Sequence, residues 1–201
     1  MRKLVCLLSL ALSSFAAVAA TEAATPRGVV ETIIERASKL DDKAQAAEHQ
    51  RTIESLVDFR QLAADALGDR TREATAAQRQ EIEQLLLKII TKTVYPEAPK
   101  FFRNVKIDYT AEETGAHSRV HITSLVNKGD KRSTVEYWLA PSASGGTFKV
   151  VDLAIEGERW VENVHDQFSE IIGRHGVSGL IAKMKKRLAQ LESPKSSKKK
   201  G

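Results

Sequence analysis

The chain has 201 residues, 42% hydrophobic and 28% charged, enough for one domain or two small ones with a substantial core. That balance excludes collagen-like, mucin-like and polytopic membrane classes. Cys6 is the sole cysteine, which excludes a disulfide framework and a cysteine-based zinc site within the chain.

The net charge of +5 is concentrated at the two ends. Residues 1–24 have the order of a secretory signal: Arg2 and Lys3, an apolar run from Leu4 to Leu12, then small residues ending in Ala17-Val18-Ala19-Ala20. The run is short for a membrane span, which needs roughly 20 residues. Cleavage near Ala19–Ala24 gives an exported, periplasmic protein without cysteine. At the other end, Lys195, Lys198, Lys199 and Lys200 follow a Ser-Pro break, and residues 193–201 are expected to be a disordered tail. Between the ends, residues 21–192 hold 25 basic and 26 acidic side chains. A near-neutral body argues against a nucleic-acid partner.

Thr25-Pro26 opens a helix, and Val29, Val30, Ile33, Ile34, Ala37 and Leu40 follow its spacing. A polar helix is expected from Asp42 to Leu56. Asp58 caps a short helix, Phe59 to Leu67, that Gly68 ends. Thr75-Ala76-Ala77-Gln78 is a capping box, followed by the stripe Ile82, Leu85, Leu86, Ile89, Ile90 and Val94. Pro96 and Pro99 interrupt it. The period then changes to two, and four strands are expected. Val105, Ile107 and Tyr109 mark the first, and Val120, Ile122, Ser124 and Val126 the second. Asn127-Lys128-Gly129-Asp130 is a hairpin turn. Val135, Tyr137 and Leu139 mark the third strand, and Val151, Leu153 and Ile155 the fourth. Two helices close the chain, with Gly173 and Gly176 between them. The domain 25–192 therefore reads as helices over 26–102, a sheet over 104–156 and helices over 159–191. This is an α+β fold, a four-stranded antiparallel meander sheet packed against N- and C-terminal helices.

Catalytic signatures are sparse. There is no phosphate loop, no Gly-x-Ser-x-Gly and no His-Glu-x-x-His. His117 and His121, four apart on a predicted strand, stand about 13 Å apart, too far for joint chelation. Asp152 and Glu156 share a strand face by parity and could act as acid and base. Asp152 reads more simply as a hydrogen-bonding strand residue.

Three ordered stretches resemble the MlaC family of periplasmic phospholipid carriers. They are Asp58-Phe59-Arg60-Gln61-Leu62-Ala63 with Ala66-Leu67-Gly68, then Ala74-Thr75-Ala76-Ala77-Gln78-Arg79, and Phe148-Lys149-Val150-Val151-Asp152-Leu153-Ala154-Ile155-Glu156-Gly157. The last continues into Val161, Asn163, Gln167-Phe168, Ile171-Ile172 and Gly179-Leu180-Ile181. The chain departs from the family at Arg159, Val164 and His165, where Ser, an aromatic residue and Arg are common. The resemblance implies a carrier with an apolar lipid pocket and no enzymatic step. It implies a phospholipid ligand and two partners, an inner-membrane ABC lipid transporter with its lipid-binding hexamer and an outer-membrane lipoprotein–porin complex. It requires no cofactor or metal. A related branch handles hopanoid lipids. The expected pocket walls are Val120, Ile122, Val135, Tyr137, Leu139, Val151, Leu153 and Ile155 from the sheet, and Ile89, Phe168 and Ile172 from helices. A one-residue parity error would exchange sheet faces. A periplasmic protein-binding module, or an enzyme using Asp152 or Glu156 as base, are the other readings.

Overall fold

Thr25 begins the described part of the chain, and its hydroxyl accepts a hydrogen bond from the Gly28 amide at 3.0 Å. With Pro26 in the first turn, this starts α1 (Pro26–Ala37), which buries Val29, Val30 and Ala37. The computed structural model describes residues 25–193; the expected signal segment 1–24 and residues 194–201 of the expected disordered tail lie outside them. α2 (Ala46–Leu56) starts four residues later than the expected Asp42, because turns occupy the intervening chain and the Asp42 carboxylate accepts from Ala44 N–H. Asp58 accepts from the Gln61 amide at 2.9 Å and caps α3 (Phe59–Leu67). Gly68 ends α3 at φ +52°, and a Cβ there would stand 2.6 Å from Cε1 of His165. Only glycine serves both demands. After a short 3₁₀ segment, Thr75 and Gln78 form the capping box of α4 (Ala76–Thr93), and the Pro-rich stretch folds as α5 (Ala98–Phe102).

The sheet is a simple antiparallel meander: β1 (Lys106–Thr114), β2 (Val120–Lys128), β3 (Lys131–Pro141), β4 (Phe148–Ile155) and β5 (Glu158–Arg159). It has five strands rather than the expected four. The addition is a two-residue edge strand made when the chain reverses at Glu156-Gly157, both at positive φ. β2 and β3 turn through Gly129-Asp130, with Gly129 at φ +58°. His117 lies in the 3₁₀ turn Ala116–Ser118, not on a strand with His121.

α6 (Trp160–Glu192) bends at Gly176, where φ +66° and ψ 177° are non-helical. The break between the two expected C-terminal helices is therefore Gly176 alone. Gly173 stays helical, and a Cβ there would meet only Arg70 Nη2 at 3.9 Å, an ordinary contact.

Two apolar layers result. α1 and Leu56 of α2 cover one face of the sheet through Val29, Val30, Val120, Ile122, Val126, Val135, Tyr137, Leu139 and Val150. Behind them α3, α4 and α6 form a second core containing Ala66, Leu67, Ile82, Leu85, Leu86, Phe168, Ile172, Leu180 and Ile181. The layers are joined where Val57 bridges Val150 and the Asp58 amide donates to the Val150 carbonyl at 2.9 Å.

Candidate functional site

Cross-strand partners share a face, so the register sorts the inner side of the sheet into rows. From the β2–β3 hairpin inward they are Ile107-Val126-Ser133, Tyr109-Ser124-Val135-Ile155, Glu112-Ile122-Tyr137-Leu153 and Thr114-Val120-Leu139-Val150. A bulge in β1 after Tyr109 brings Glu112 into the third row. A second bulge sets Val150 and Val151 together against Leu139.

Burial changes along these rows. Leu139, Val120 and Val150 are closed in by α1 and the Val57 crossing. Leu153 and Ile155, on the same face at the β4 side, are 36% and 42% exposed. At the hairpin end lies an open cleft of about 710 Å³. Val126 and Ser133 of the first row, together with Val105 and the 40%-exposed Phe101, line it. Its rim carries Glu97, Lys100, Lys128, Asp130 and Lys131. The Lys128 ammonium donates to the carbonyls of Lys100 and Phe101, tying the hairpin to the end of α5.

Polar groups inside this face are few. The Tyr137 hydroxyl is buried beside Ser124 without closing a hydrogen bond, while the Ser124 hydroxyl donates to the Val135 carbonyl at 3.2 Å. Burial pushes the Tyr137 pKa up from its ordinary value. Burial, reinforced by the negative charge of Glu31, does the same to Tyr109, whose ring the Arg27 guanidinium covers at 4.3 Å. These are features of an apolar surface. They can hold hydrocarbon and offer little to drive bond chemistry.

The expected pocket residues divide. Val120, Ile122, Val135, Tyr137 and Leu139 lie together on the inner face, and Leu153 and Ile155 share it by register. Val151 is buried at the bulge. Ile89, Phe168 and Ile172 are not brought to the sheet: they pack in the helical layer against α3, α4 and α6. Val105 and Val126 read as strand residues and Lys128 and Asp130 as parts of a hairpin turn, but their convergence with Phe101 into a cleft escaped the sequence reading, since it depends on how α5 meets the hairpin. The interruption by Pro96 and Pro99 was the available signal.

The outer face is polar and locked. His121 stacks on Trp138 at 4.6 Å and pairs with Glu136 at 2.8 Å, and the Arg159 guanidinium lies over Trp138 at 4.5 Å. Asp152, 3% exposed, accepts from Arg159 at 2.6 and 2.8 Å and from the amides of Leu153 and Val161. With every direction filled, it fastens β4 to the start of α6 and is the hydrogen-bonding strand residue the sequence suggests. Glu156 accepts from the Thr134 amide at 2.7 Å, on the turn after β4. Among the described residues no group of three His, Cys, Asp or Glu side chains could hold a metal ion, and no helix is long and apolar enough to cross a membrane.

This arrangement, an antiparallel meander with its apolar face roofed by helices and open at one end, has a counterpart among known families. The family model described as MlaC protein matches residues 25–186. The chain belongs to the MlaC family. A similar solved structure is the phospholipid-binding protein from Ralstonia solanacearum in complex with a phospholipid, at 25% identity and a TM-score of 0.68 over 83% of this chain and 96% of that one. A search of curated proteins found no match. Arg159, Val164 and His165, where the resemblance expects other residues, each have a local use. Arg159 is used in the Asp152 and Trp138 contacts, Val164 packs on the helical core, and His165 fills the space above Gly68 and approaches the Ala66 carbonyl at 3.2 Å.

Proposed function

We propose that this protein is a phospholipid carrier that binds acyl chains against the inner face of its sheet and performs no covalent chemistry. The observation that carries the reading is the incompletely covered inner face. It is closed and apolar at Leu139 and Val120, and open at Leu153, Ile155 and the cleft beside Val126. Membership of the MlaC family and the phospholipid held by the Ralstonia relative support it.

The physical need is direct. A diacyl lipid has about 30 methylenes, each costing about 0.8 kcal/mol in water. Crossing an aqueous compartment unaided is prohibitively slow, whereas a protein that shields the tails needs only to bind and release. On this reading the signal segment 1–24 is removed on export and the domain 25–192 works in the periplasm. There it exchanges lipid with an inner-membrane ABC transporter and its lipid-binding hexamer, and with an outer-membrane lipoprotein–porin complex.

Native mass spectrometry of the purified mature protein, with lipid extraction, tests this. A mass increment matching an extracted diacyl phospholipid is expected. An increment matching a hopanoid would change the cargo but keep the carrier. Protein that purifies without lipid and takes none from phospholipid vesicles would overturn the proposal.

A further inference from the structure

We infer that the cleft between α5 and the β2–β3 hairpin is the entrance for the cargo, and that Lys100 and Lys131 hold the phosphate of its headgroup. This rests on the phospholipid reading and adds to it a place and a chemistry for headgroup recognition.

The cleft, about 710 Å³, falls in the range of roughly 300–1,000 Å³ typical of small-molecule sites. Its lining includes Val126, which is also the middle of the first inner row, so the cleft adjoins the apolar face at its hairpin end. Beyond Val126 the face runs through Ser124 and Val135 to Ile122 and Tyr137, all buried beneath α1, so a tail entering over Val126 reaches them by parting α1 from the sheet.

The rim supplies the charge. It has three ammonium groups, Lys100, Lys128 and Lys131, against two carboxylates, Glu97 and Asp130. The Lys131 ammonium has no ion-pair or hydrogen-bond partner among the described residues. Lys100 is engaged only with Glu97, at 3.1 Å, in a largely exposed pair that a better anion can replace. Lys128 has a different task. Its bonds to the last carbonyls of α5 fix the distance between helix and hairpin and so the width of the opening.

This cationic excess is local, because residues 21–192 as a whole carry slightly more acidic than basic side chains. The other open part of the inner face, at Leu153 and Ile155, is followed by Glu156 and Glu158, which repel a phosphate. The charges therefore favour the hairpin end for the headgroup, with Leu153 and Ile155 left to the tails. A phosphodiester monoanion matches mobile lysine ammonium groups, which act as point charges without the planar fork of arginine.

The test compares two ligands with the same tails, phosphatidylglycerol and diacylglycerol, each loaded from vesicles onto wild-type protein and the double variant Lys100→Glu/Lys131→Glu. Both positions are exposed, and far-UV circular dichroism checks the fold. Phosphatidylglycerol affinity should fall about tenfold at low salt, diacylglycerol affinity should be unchanged, and the gap should narrow at high salt. The neutral Lys100→Gln/Lys131→Gln variant should lie between. Equal loss of both lipids, or no loss of either, would overturn the assignment of these lysines. A wild-type protein that accepts neither lipid would overturn the carrier reading itself, a result distinct from either.

Discussion

The helical layer of α3, α4 and α6 and the inner face of the sheet are built from the same residue types, yet one is closed and the other is not. In the helical layer the stripes of three helices meet, and Ile82 and Leu180 are almost fully excluded from water. On the sheet, α1 and the Val57 crossing bury the inner residues of β2 and β3, while Leu153 and Ile155 at the β4 side stay in contact with solvent. Apolar composition thus sets where a core can form, and the placement of covering elements sets whether it is filled by protein or left for a ligand. Fully burying a Leu or Ile side chain is worth about 1.5–3 kcal/mol. The two exposed side chains, at 36% and 42% exposure, forgo about two-fifths of that, and a bound acyl chain would restore it.

Substitutions should separate the two regions. The largest effect is expected for Leu180→Asp in the helical layer, where an unpaired charge in a dry core costs more than about 4 kcal/mol. Denaturant melts should show an unfolded or severely destabilised protein. Asp152→Ala, at the junction between sheet and α6, should cost about 2 kcal/mol, because it leaves two amides without their acceptor and the partly exposed Arg159 guanidinium with Glu162 alone. The expected readout is a lower denaturation midpoint with an unchanged slope.

Alkaline pH should act on the sheet side. Tyr137 and Tyr109 face α1, whereas the helical core holds no tyrosine among the described residues. Burial raises the folded-state pKa of both, while an unfolded tyrosine loses its proton near pH 10. Below pH 10 both states are protonated and nothing is lost. Above it the unfolded chain binds fewer protons, so stability falls with rising pH until the folded-state value is passed, by up to about 1.4 kcal/mol per pH unit for one tyrosine. Tyr137→Phe should flatten that slope in urea titrations between pH 9 and 11. The smallest stability effect is expected for Leu153→Arg, within about 1 kcal/mol because the site is already exposed. Lipid carried through purification should nevertheless drop sharply. Unchanged lipid in this well-folded variant would remove Leu153 from the site.

Much of this was legible locally. Thr25, Asp58 and Thr75 announce helix starts through the hydroxyl or carboxylate that accepts a nearby amide, and these bonds form as expected. The two-residue turn at Gly129 follows from its left-handed backbone. The less legible features depend on which elements meet. Ile89, Phe168 and Ile172 have helical periodicity whichever partner they face, and they turned to other helices. Of Gly173 and Gly176, only the latter has positive φ, a choice made by the packing of α6. The bulges that set the inner rows, the short β5 edge and the cleft under the hairpin arise from pairing and reversal, which no periodicity encodes.

The central claim is that lipid tails lie against the inner face of the sheet and not within the helical layer. Photo-crosslinking with a phospholipid bearing a diazirine on its acyl chain, followed by peptide mapping, tests it most directly. Adducts are expected on β2, β3 and β4, centred on Val126, Val135, Leu153 and Ile155. Adducts confined to Phe168, Ile172 and their neighbours in α3, α4 and α6 would contradict the account.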